Sequence, residues 1–427
     1  MATYITRTAT ANNNSVGKWT FSAWVKRNRI SHESNIIAFF STNNYRSAIR
    51  FDSNDQLRFY EVWNGAAIVS KATTRVFRDT NAWYHIVLSV DKTVSSPSTQ
   101  IYINGVATTS WSANDDYSQN ESGKFNDAEP ININAEQSGT GIGECLMSHV
   151  HFVDGTAYTA STFGETDSTT GEWKIIAEPS GITYGTNGFF ILKDGNSLTD
   201  QSGNSNNFTV ATGNLTNTED CPSNVFATMN PHYRDSGITL SNGNLTSVGG
   251  SAGTTVCSTI AVNSGKWYWE AKCNTASPND YFNVGVIKTQ TRIDNLSYPA
   301  DSGSSGYVLA KDGYIYYNGS QSLNTGTTVS PGDIVGFILD MDAGTLKLKK
   351  NGSDVYSGNA VVSSLNTGDH WYVTHGANPS NVDFNFGNGY FGTTAISSEG
   401  TNASGIGKFE YDVPANHTAI CTKGLNE

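Results

Sequence analysis

The clearest alternation of hydrophobic and polar positions lies in residues 330–352. An aliphatic run at residues 334–339 predicts a strand that is buried on both faces. After a polar turn, leucines alternate with lysines over residues 346–349, which is typical of a strand buried on one face. Asn351 and Gly352 then form a pair that suits positive φ angles. This stretch therefore predicts a complete β-hairpin.

A looser version of the same arrangement lies in the first half of the chain. A hydrophobic strand at residues 83–90 ends at Asp91, and after a loop an alternating strand at residues 100–103 ends at Asn104 and Gly105. A solenoid repeats its unit at a fixed period about three times or more, and this arrangement is too short for such a repeat. Two similar β-sandwich domains explain the duplication better.

Length and composition favour the same architecture. The chain has 427 residues, which exceeds what one hydrophobic core usually serves, and its 42 glycines favour many short strands with tight turns. No window combines apolar residues at helical spacing with capping residues at both ends. We therefore predict an all-β chain of two antiparallel β-sandwiches.

The charge balance argues against two classes of partner. The chain carries 26 basic and 38 acidic residues, a formal charge of −12, and its basic residues are scattered. Such a surface gives no electrostatic footprint for nucleic acid or for an anionic membrane. No apolar run of about 18 residues occurs, and the amino terminus lacks the apolar segment of a signal peptide. Five cysteines without CxxC spacing favour free thiols over disulfides or a metal site.

Four segments of the first half carry a family resemblance. Residues 18–27, 77–91, 101–106 and 149–158 occur in the order found in laminin G-like, concanavalin A-type jelly rolls. In this form they resemble appendage proteins of tailed phages. The strand and turn that usually begin such a jelly roll come here at residues 188–210, which predicts a permuted order in which this segment pairs within the first sandwich.

The second half resembles a different domain. Short signatures at residues 265–270, 283–286, 306–307, 312–313 and 382–387, together with the hairpin, resemble a SPRY domain, itself a bent β-sandwich. We therefore predict a first domain at residues 1–220, a linker at 221–230 and a SPRY-like domain at 231–394. Residues 395–427 are predicted to be a linker and a tail, whose ending resembles the tag of phage structural proteins.

These resemblances imply a virion protein that is not an enzyme. We expect a tail-fibre or appendage adhesin that binds a host surface glycan or protein. The alternative is a capsid or neck decoration protein that binds other virion proteins. In both cases we expect synthesis in the bacterial host cytoplasm, residence in the virion, other virion proteins as partners, no membrane insertion and, by analogy with phage fibres, a homotrimer. HExxH and GxSxG motifs are absent, and the carboxylates Glu165, Asp167 and Glu172 lie in a loop-like stretch.

Aromatic residues in predicted loops are the candidate ligand-binding residues. An exposed ring beside amides and carboxylates can stack on a sugar and bond its hydroxyls. An aromatic side chain tucked under its own loop is the alternative. In the SPRY-like domain the predicted binding loops are residues 277–281, 292–305 and 319–328. The candidates are Trp63, Trp111, Tyr117, Tyr281, Arg292 and Tyr298. The tryptophans in strand patterns are predicted to be core: Trp19, Trp24, Trp83, Trp267, Trp269 and Trp371.

One cluster has a metal-binding composition. Asp194, Asn196 and Asp200 offer the oxygen ligands that Ca²⁺ takes. Asx turns, in which these side chains bond their own backbone, explain the same composition. No other cofactor is predicted. His149 and His151, two apart on a strand, are either a metal pair or ordinary polar strand residues.

Overall fold

The computed structural model describes residues 3–12, 17–96, 98–137, 141–193, 195, 197–250, 253–274, 282–288, 298–377 and 379–426. The chain divides into a first unit, residues 1–217 with 221–223, and a second unit, residues 218–220 with 224–427. Strands dominate both units, and the helical structure in the described ranges consists of single 3₁₀ turns at Ala160–Thr162, Tyr356–Gly358 and Gly424–Asn426. The all-β prediction is confirmed. No helix among the described residues is long and apolar enough to cross a membrane.

The first unit is a sandwich of two antiparallel sheets with an additional two-stranded ribbon. Its strands are β1 (Tyr4–Thr8), β2 (Lys18–Arg27), β3 (Ser34–Thr42), β4 (Tyr45–Phe51), β5 (Gln56–Trp63), β6 (Ala66–Val76), β7 (Trp83–Asp91), β8 (Thr99–Ile103), β9 (Val106–Ala107), β10 (Trp111–Asp115), β11 (Pro130–Ile133), β12 (Cys145–Asp154), β13 (Gly164–Thr166), β14 (Trp173–Ile175), β15 (Phe189–Ile191) and β16 (Thr209–Thr212).

The larger sheet has the order β10-β6-β5-β4-β3-β11-β1-β16, and the smaller sheet has the order β15-β12-β2-β7-β8-β9. The core lies between them because alternate side chains of each strand point inward. Trp19 of the smaller sheet contacts Phe59 of the larger sheet edge to face at 5.6 Å between ring centroids. It also stacks on Phe125, from the loop before β11, at 4.1 Å. Large aromatic rings thus fill the centre of the sandwich.

The segment at residues 188–210 contributes a strand to each sheet of this sandwich. Phe190 of β15 pairs with His151 of β12, and Val210 of β16 pairs with Ile5 of β1. This is the pairing that the prediction of a permuted order requires. The segment therefore extends both sheets of the first unit.

The second unit is also a sandwich of antiparallel sheets. Its strands are β17 (Met229–Arg234), β18 (Ile238–Ser241), β19 (Thr246–Gly249), β20 (Thr254–Val262), β21 (Lys266–Cys273), β22 (Val284–Lys288), β23 (Tyr307–Leu309), β24 (Tyr314–Tyr317), β25 (Ser320–Asn324), β26 (Ile334–Asp340), β27 (Thr345–Lys350), β28 (Ser353–Asp354), β29 (Trp371–Ala377), β30 (Ser380–Asn385), β31 (Tyr390–Phe391), β32 (Thr394–Ala395) and β33 (Thr418–Ala419).

One sheet of the second unit has the order β17-β20-β29-β22-β23-β24-β25, and the other has the order β18-β19-β30-β21-β26-β27-β28. Trp269 of β21 stacks on Phe337 of β26 in the core at 5.0 Å between centroids. The predicted hairpin is present, because β26 pairs with β27 in the register Leu339 opposite Leu346. The six tryptophans assigned to the core from their strand patterns are all buried.

Most of the predicted linker, residues 224–230, and the whole predicted tail belong to the second unit. Ala227, in the stretch expected to be a linker, donates its N–H to the Ile420 carbonyl at 2.9 Å. β33 pairs in parallel with β21, and Phe409 packs edge to face on Tyr268 at 4.9 Å. The buried apolar residues of residues 395–427 are Phe409, Val413 and the run 419–421, and this spacing has neither a strand nor a helix period. They nevertheless cover the face of β21 that lies opposite Trp267 and Trp269.

The Asn-Gly turns have the predicted conformation. Asn104 and Gly105 have φ angles of 49° and 80°, and Asn351 and Gly352 have the same values. Both central residues of a type I′ hairpin need positive φ, which glycine adopts without strain and asparagine tolerates. The local sequence therefore sets the hairpin geometry at these sites.

Candidate functional site

Two neighbouring hairpins at one end of the larger sheet form the best-defined candidate site. The turn between β3 and β4 exposes Asn43 and Asn44, and the turn between β5 and β6 consists of Asn64 and Gly65. Asn64 and Gly65 have φ angles of 49° and 80°, the type I′ geometry. The Gly65 N–H donates to the Asn44 carbonyl at 3.0 Å. This hydrogen bond holds the two turns side by side.

Two half-exposed aromatic rings flank these turns. Tyr45 and Trp63 meet edge to face at 5.4 Å between ring centroids, and the Tyr45 hydroxyl donates to the Asn64 side-chain oxygen at 3.2 Å. The Lys124 ammonium lies 5.6 Å from the Tyr45 centroid and 5.5 Å from the Trp63 centroid. At these distances the cation attracts both rings. We call Asn44, Tyr45, Trp63, Asn64 and Lys124 the Trp63 cluster.

Two carboxylates hold Lys124 in place. Its ammonium forms ion pairs with Asp127 at 2.6 Å and with Glu129 at 2.7 Å. Burial lowers the pKa of Lys124, but these hydrogen bonds outweigh burial and raise it above its usual range. The side chain therefore stays charged and keeps both rings oriented. Such an ordered arrangement of rings and amides can stack on a sugar ring and bond its hydroxyls at low entropy cost.

Tyr117 is buried, so the prediction that it is an exposed loop aromatic is wrong. It is 2% exposed, and its hydroxyl donates to the buried carboxylate of Glu61. The same carboxylate accepts the N–H groups of Lys124 and, at 3.2 Å, of Phe125. Tyr117 thus serves the site indirectly, because it helps to anchor the loop that carries Lys124.

Trp111 lies in a strand rather than a loop. It begins the edge strand β10, is half-buried and packs against the core of the first unit. The ammonium of Lys71 lies 5.1 Å from its ring centroid. Lys71 is itself paired with Asp116 at 3.0 Å. Trp111 pairs with Thr73 of β6, whereas Trp63 pairs with Ala66 at the start of the same strand, so Trp111 is separate from the Trp63 cluster.

The calcium interpretation is supported at none of its three positions. Asp194 and Asn196 lie outside the described residues. The Asp200 carboxylate accepts N–H groups from Phe190 at 2.8 Å and Ser202 at 2.9 Å, as well as a third from Asn206 at 2.8 Å. Its oxygens are thus used within the turn, as the Asx alternative requires. Among the described residues, no group of three or more His, Cys, Asp or Glu side chains could hold a metal ion.

The paired histidines also have structural partners. His151 is buried, stacks on Phe190 at 3.9 Å and bonds the Tyr184 hydroxyl at 2.9 Å. Burial holds the pKa of His151 well below its usual range. A register irregularity lies between Ser148 and His151, and His149 has a positive φ of 49°. In a regular strand, residues two apart point to the same face. The irregularity here breaks that relation for His149 and His151.

The carboxylates considered for catalysis form part of a surface ribbon. Glu165 lies in β13, and Lys174 of β14 bridges Glu165 and Asp167 at 3.3 Å each. The N–H groups of Thr170 and Thr169, together with Lys174, lower the pKa of Asp167 to about 2. A carboxyl group that stays ionised in this way cannot act as a general acid near neutral pH.

In the second unit only one predicted binding residue is described. Tyr298 is half-buried and donates its hydroxyl to the Asn283 side-chain oxygen at 2.9 Å. Tyr281 and Arg292 lie outside the described residues, as do residues 277–280 of the first predicted loop. The third loop, residues 319–328, includes β25 and its exposed residues Gln321 and Asn324.

Trp63 is the one member of the Trp63 cluster that the sequence analysis named as a candidate. Tyr45 follows the adjacent asparagines Asn43 and Asn44, which are a recognisable turn signal. Lys124 has no local signal, because its partners Tyr45 and Trp63 are far away in sequence and only the fold brings them together.

Comparison with known families assigns a domain type to each unit. Residues 2–132 match the laminin G-like profile of the concanavalin A-like lectin/glucanases superfamily, and residues 266–389 match the SPRY domain profile. The first unit carries a concanavalin A-like domain, and the second carries a SPRY domain. The concanavalin A-like match ends in β11, so β12, β15 and β16 complete the sandwich beyond it. Comparison with curated protein sequences found no match.

Several solved structures are similar to this chain. The SPRY domain of human HERC1 is 20% identical over 36% of this chain and 96% of its own, with a TM-score of 0.31. Stonustoxin is 20% identical over 37% of this chain and 27% of its own, with a TM-score of 0.29. The TRIM65 PSpry domain is 17% identical over 37% of this chain and 88% of its own, with a TM-score of 0.30.

Proposed function

We infer that this chain is a virion appendage protein of a tailed phage, an adhesin that binds a host surface glycan. The Trp63 cluster is the observation that carries the proposal. It offers two half-exposed rings and exposed amides on paired hairpins, held by a cation that two carboxylates fix. Loops and hairpins on a rigid sandwich are where such folds place recognition. The concanavalin A-like domain is consistent with binding, although fold alone does not determine function.

The cluster suits a sugar for a physical reason. A pyranose ring presents apolar C–H groups on one face and hydroxyls at its edge. Trp63 and Tyr45 can cover the apolar face, while the amides of Asn43, Asn44 and Asn64 can exchange hydrogen bonds with the hydroxyls. A shallow site of this kind binds weakly, so useful attachment needs several copies on one particle. A homotrimer docked on other virion proteins would supply them.

The test is binding of the whole protein to an array of purified bacterial surface polysaccharides, in monomeric form and on a trimeric display scaffold. Trp63→Ala should weaken binding about tenfold, since one stacking contact contributes about 1 kcal/mol or somewhat more. Trp111→Ala is the matched control, because that tryptophan lies away from the cluster, and it should leave affinity unchanged. Thermal unfolding of each variant checks folding.

Two outcomes would contradict the adhesin proposal. If Trp63→Ala and wild type bind every polysaccharide equally, the cluster is not the site. If neither the monomer nor the trimeric form binds any polysaccharide while both bind purified virion proteins, the decoration function takes its place.

A further inference from the structure

The outer face of the larger sheet in the first unit, opposite the core, carries an unusual pair of arginines. Ile49, Phe51, Leu57 and Phe59 are core residues, so the alternate residues of β4 and β5 point to the opposite face. Arg50 and Arg58 stand there directly opposite each other in the strand register. Like charges in this position destabilise a sheet.

Arg50 has partners that balance its charge. Its guanidinium pairs with Glu33 at 2.6 Å and lies 4.6 Å from the centroid of the Tyr60 ring. Glu136 accepts a hydrogen bond from the Tyr60 hydroxyl. It also pairs with Arg46, the third arginine of this face, at 3.4 Å.

Arg58 differs from its two neighbours. Its guanidinium donates to the Ser70 hydroxyl at 3.0 Å, and within the described part of the chain it has no carboxylate at ion-pair distance. Asp115 lies opposite Ser70 in the register of the edge strand. It forms no ion pair with Arg58. The chain has 38 acidic residues against 26 basic ones, so a carboxylate partner for this position would have been easy to supply. A neutral partner leaves most of the guanidinium donors free.

Arg58 is partly exposed, whereas the small side chains that neighbour it on this face are buried. Its other cross-strand neighbour is Ala72, and Ala48 and Ala38 continue the floor of this face. The guanidinium fork matches a carboxylate in a bidentate geometry. The Tyr60 hydroxyl donates to Glu136, and the Arg50 guanidinium lies over the Tyr60 ring. Tyr60 therefore bounds one side of the position at which such a carboxylate would lie.

We propose that the outer face around Arg50, Arg58, Tyr60 and Ser70 binds the carboxylate of an acidic sugar. The carboxylate sits between the two guanidinium groups and receives a bidentate pair from Arg58, while Ser70 bonds a neighbouring hydroxyl. This proposal rests on the adhesin function and names the class of its ligand, an acidic polysaccharide.

The experiment measures binding of the whole protein to oligogalacturonate and to the same oligomer after its carboxyl groups have been reduced to alcohols. Wild type should bind the acidic form at least about tenfold more tightly. Arg58→Gln should weaken binding to the acidic form about tenfold and remove the difference between the two probes. Arg58→Lys keeps the charge but loses the guanidinium fork, so its affinity for the acidic form should lie between those of wild type and Arg58→Gln.

Arg29→Gln is the matched control, because Arg29 is an exposed arginine of the same unit that pairs with Glu144. It removes the same charge and should leave both affinities unchanged. Equal binding of the two probes by wild type, or unchanged binding by Arg58→Gln, would overturn the proposal. Thermal unfolding checks that Arg58→Gln is folded.

The two proposals fail in different ways. If Trp63→Ala lowers binding to host polysaccharide while Arg58→Gln lowers binding to nothing, the acidic-sugar site is wrong and the adhesin function stands. If Arg58→Gln loses oligogalacturonate binding while no host polysaccharide binds to the protein, the site exists and the adhesin function is wrong.

Discussion

Each of the two units buries one glutamate in a central strand and uses it to hold a distant segment. Glu61 of β5 accepts the Tyr117 hydroxyl and the N–H groups of Lys124 and Phe125. Glu270 of β21 accepts the Tyr268 hydroxyl at 3.1 Å and consecutive N–H groups at residues 410 and 411, at 3.0 and 2.9 Å. A carboxylate, a tyrosine and two successive backbone donors thus form the same anchor in unrelated places.

The two anchors differ in how the charge is balanced. The buried ammonium of Lys92 lies 5.3 Å from the Tyr117 ring centroid and lowers the pKa of Glu61 against the effect of burial. Glu270 has neutral donors only, the fourth being the Asn385 amide at 3.1 Å, and no ion pair with it occurs in the described ranges. Burial is the largest influence on both, and it raises the pKa of each to about 7.

The comparison shows that a buried carboxylate can be satisfied by dipoles alone or by dipoles with a cation. The dipole-only anchor leaves no orphan charge when its glutamate is protonated. When Glu61 is protonated, the anchor with a cation leaves the Lys92 ammonium buried beside a neutral carboxyl group. The two should therefore respond differently to mutation and to pH.

The largest effect is expected when the dipole-only anchor is removed. Glu270→Ala removes the acceptor of two buried donors, the Tyr268 hydroxyl and the Asn385 amide, and of two part-buried N–H groups. A buried donor without its acceptor costs about 1–3 kcal/mol, so the second unit should lose about 4 kcal/mol. Hydrogen exchange followed by mass spectrometry should show loss of protection over residues 408–413. The exposed Glu399 provides the control, and Glu399→Ala should change neither quantity. Unchanged protection at residues 408–413 in Glu270→Ala would show that Glu270 does not hold this segment.

A pH series should separate the glutamates from the other buried groups. Because the pKa of each glutamate is raised from 4.5 to about 7 in the folded state, folding binds a proton between these values. Each glutamate therefore makes the free energy of unfolding fall as pH rises from about 4.5 to 7, by up to about 3 kcal/mol.

Buried histidines have the opposite effect in part of this range. Burial lowers the pKa of His85 and His375 to about 3, so they make stability rise with pH up to about 6.5. The contribution of each glutamate is therefore obtained by comparing wild type with Glu61→Gln and with Glu270→Gln. For each protein, urea unfolding gives the free energy of unfolding at pH 5.0 and at pH 7.5. Glutamine does not titrate, so the free energy of unfolding of each variant should fall less between pH 5.0 and 7.5 than that of wild type. A variant with the wild-type pH dependence would show that its glutamate does not titrate in this range.

A smaller effect should distinguish the two anchors directly. Lys92→Met removes the cation near Glu61, so at pH 8 the first unit should lose about 2 kcal/mol. At pH 5 Glu61 is protonated, and the loss should be much smaller, although Glu121 also acts on Lys92. Lys18→Met, at an exposed pair with Asp91, is the control and should cost less than about 1 kcal/mol at both pH values. Equal losses at pH 5 and pH 8 would show that Lys92 acts by packing and not by charge.

The sequence alone determined the local structure and the class of fold. Alternation, Asn-Gly pairs and buried tryptophans predicted strands, hairpins and core because these signals depend on neighbours a few residues apart. Trp63 was found in the same way, beside its own turn. The hairpin at residues 334–350 has the expected pairing, and the families of the two domains follow from similarly short signatures.

Tertiary structure alone decided which side chains meet and which are buried. Tyr117 lies in a polar stretch, yet its partner Glu61 is 56 residues away, and their contact buries both. The opposition of Arg50 and Arg58 depends on strand register. The packing of residues 395–427 depends on the face of β21 that carries Tyr268, which these residues cover. A polar stretch has the same pattern whether it faces water or a buried partner. Burial is set by long-range packing, so local periodicity could not predict it.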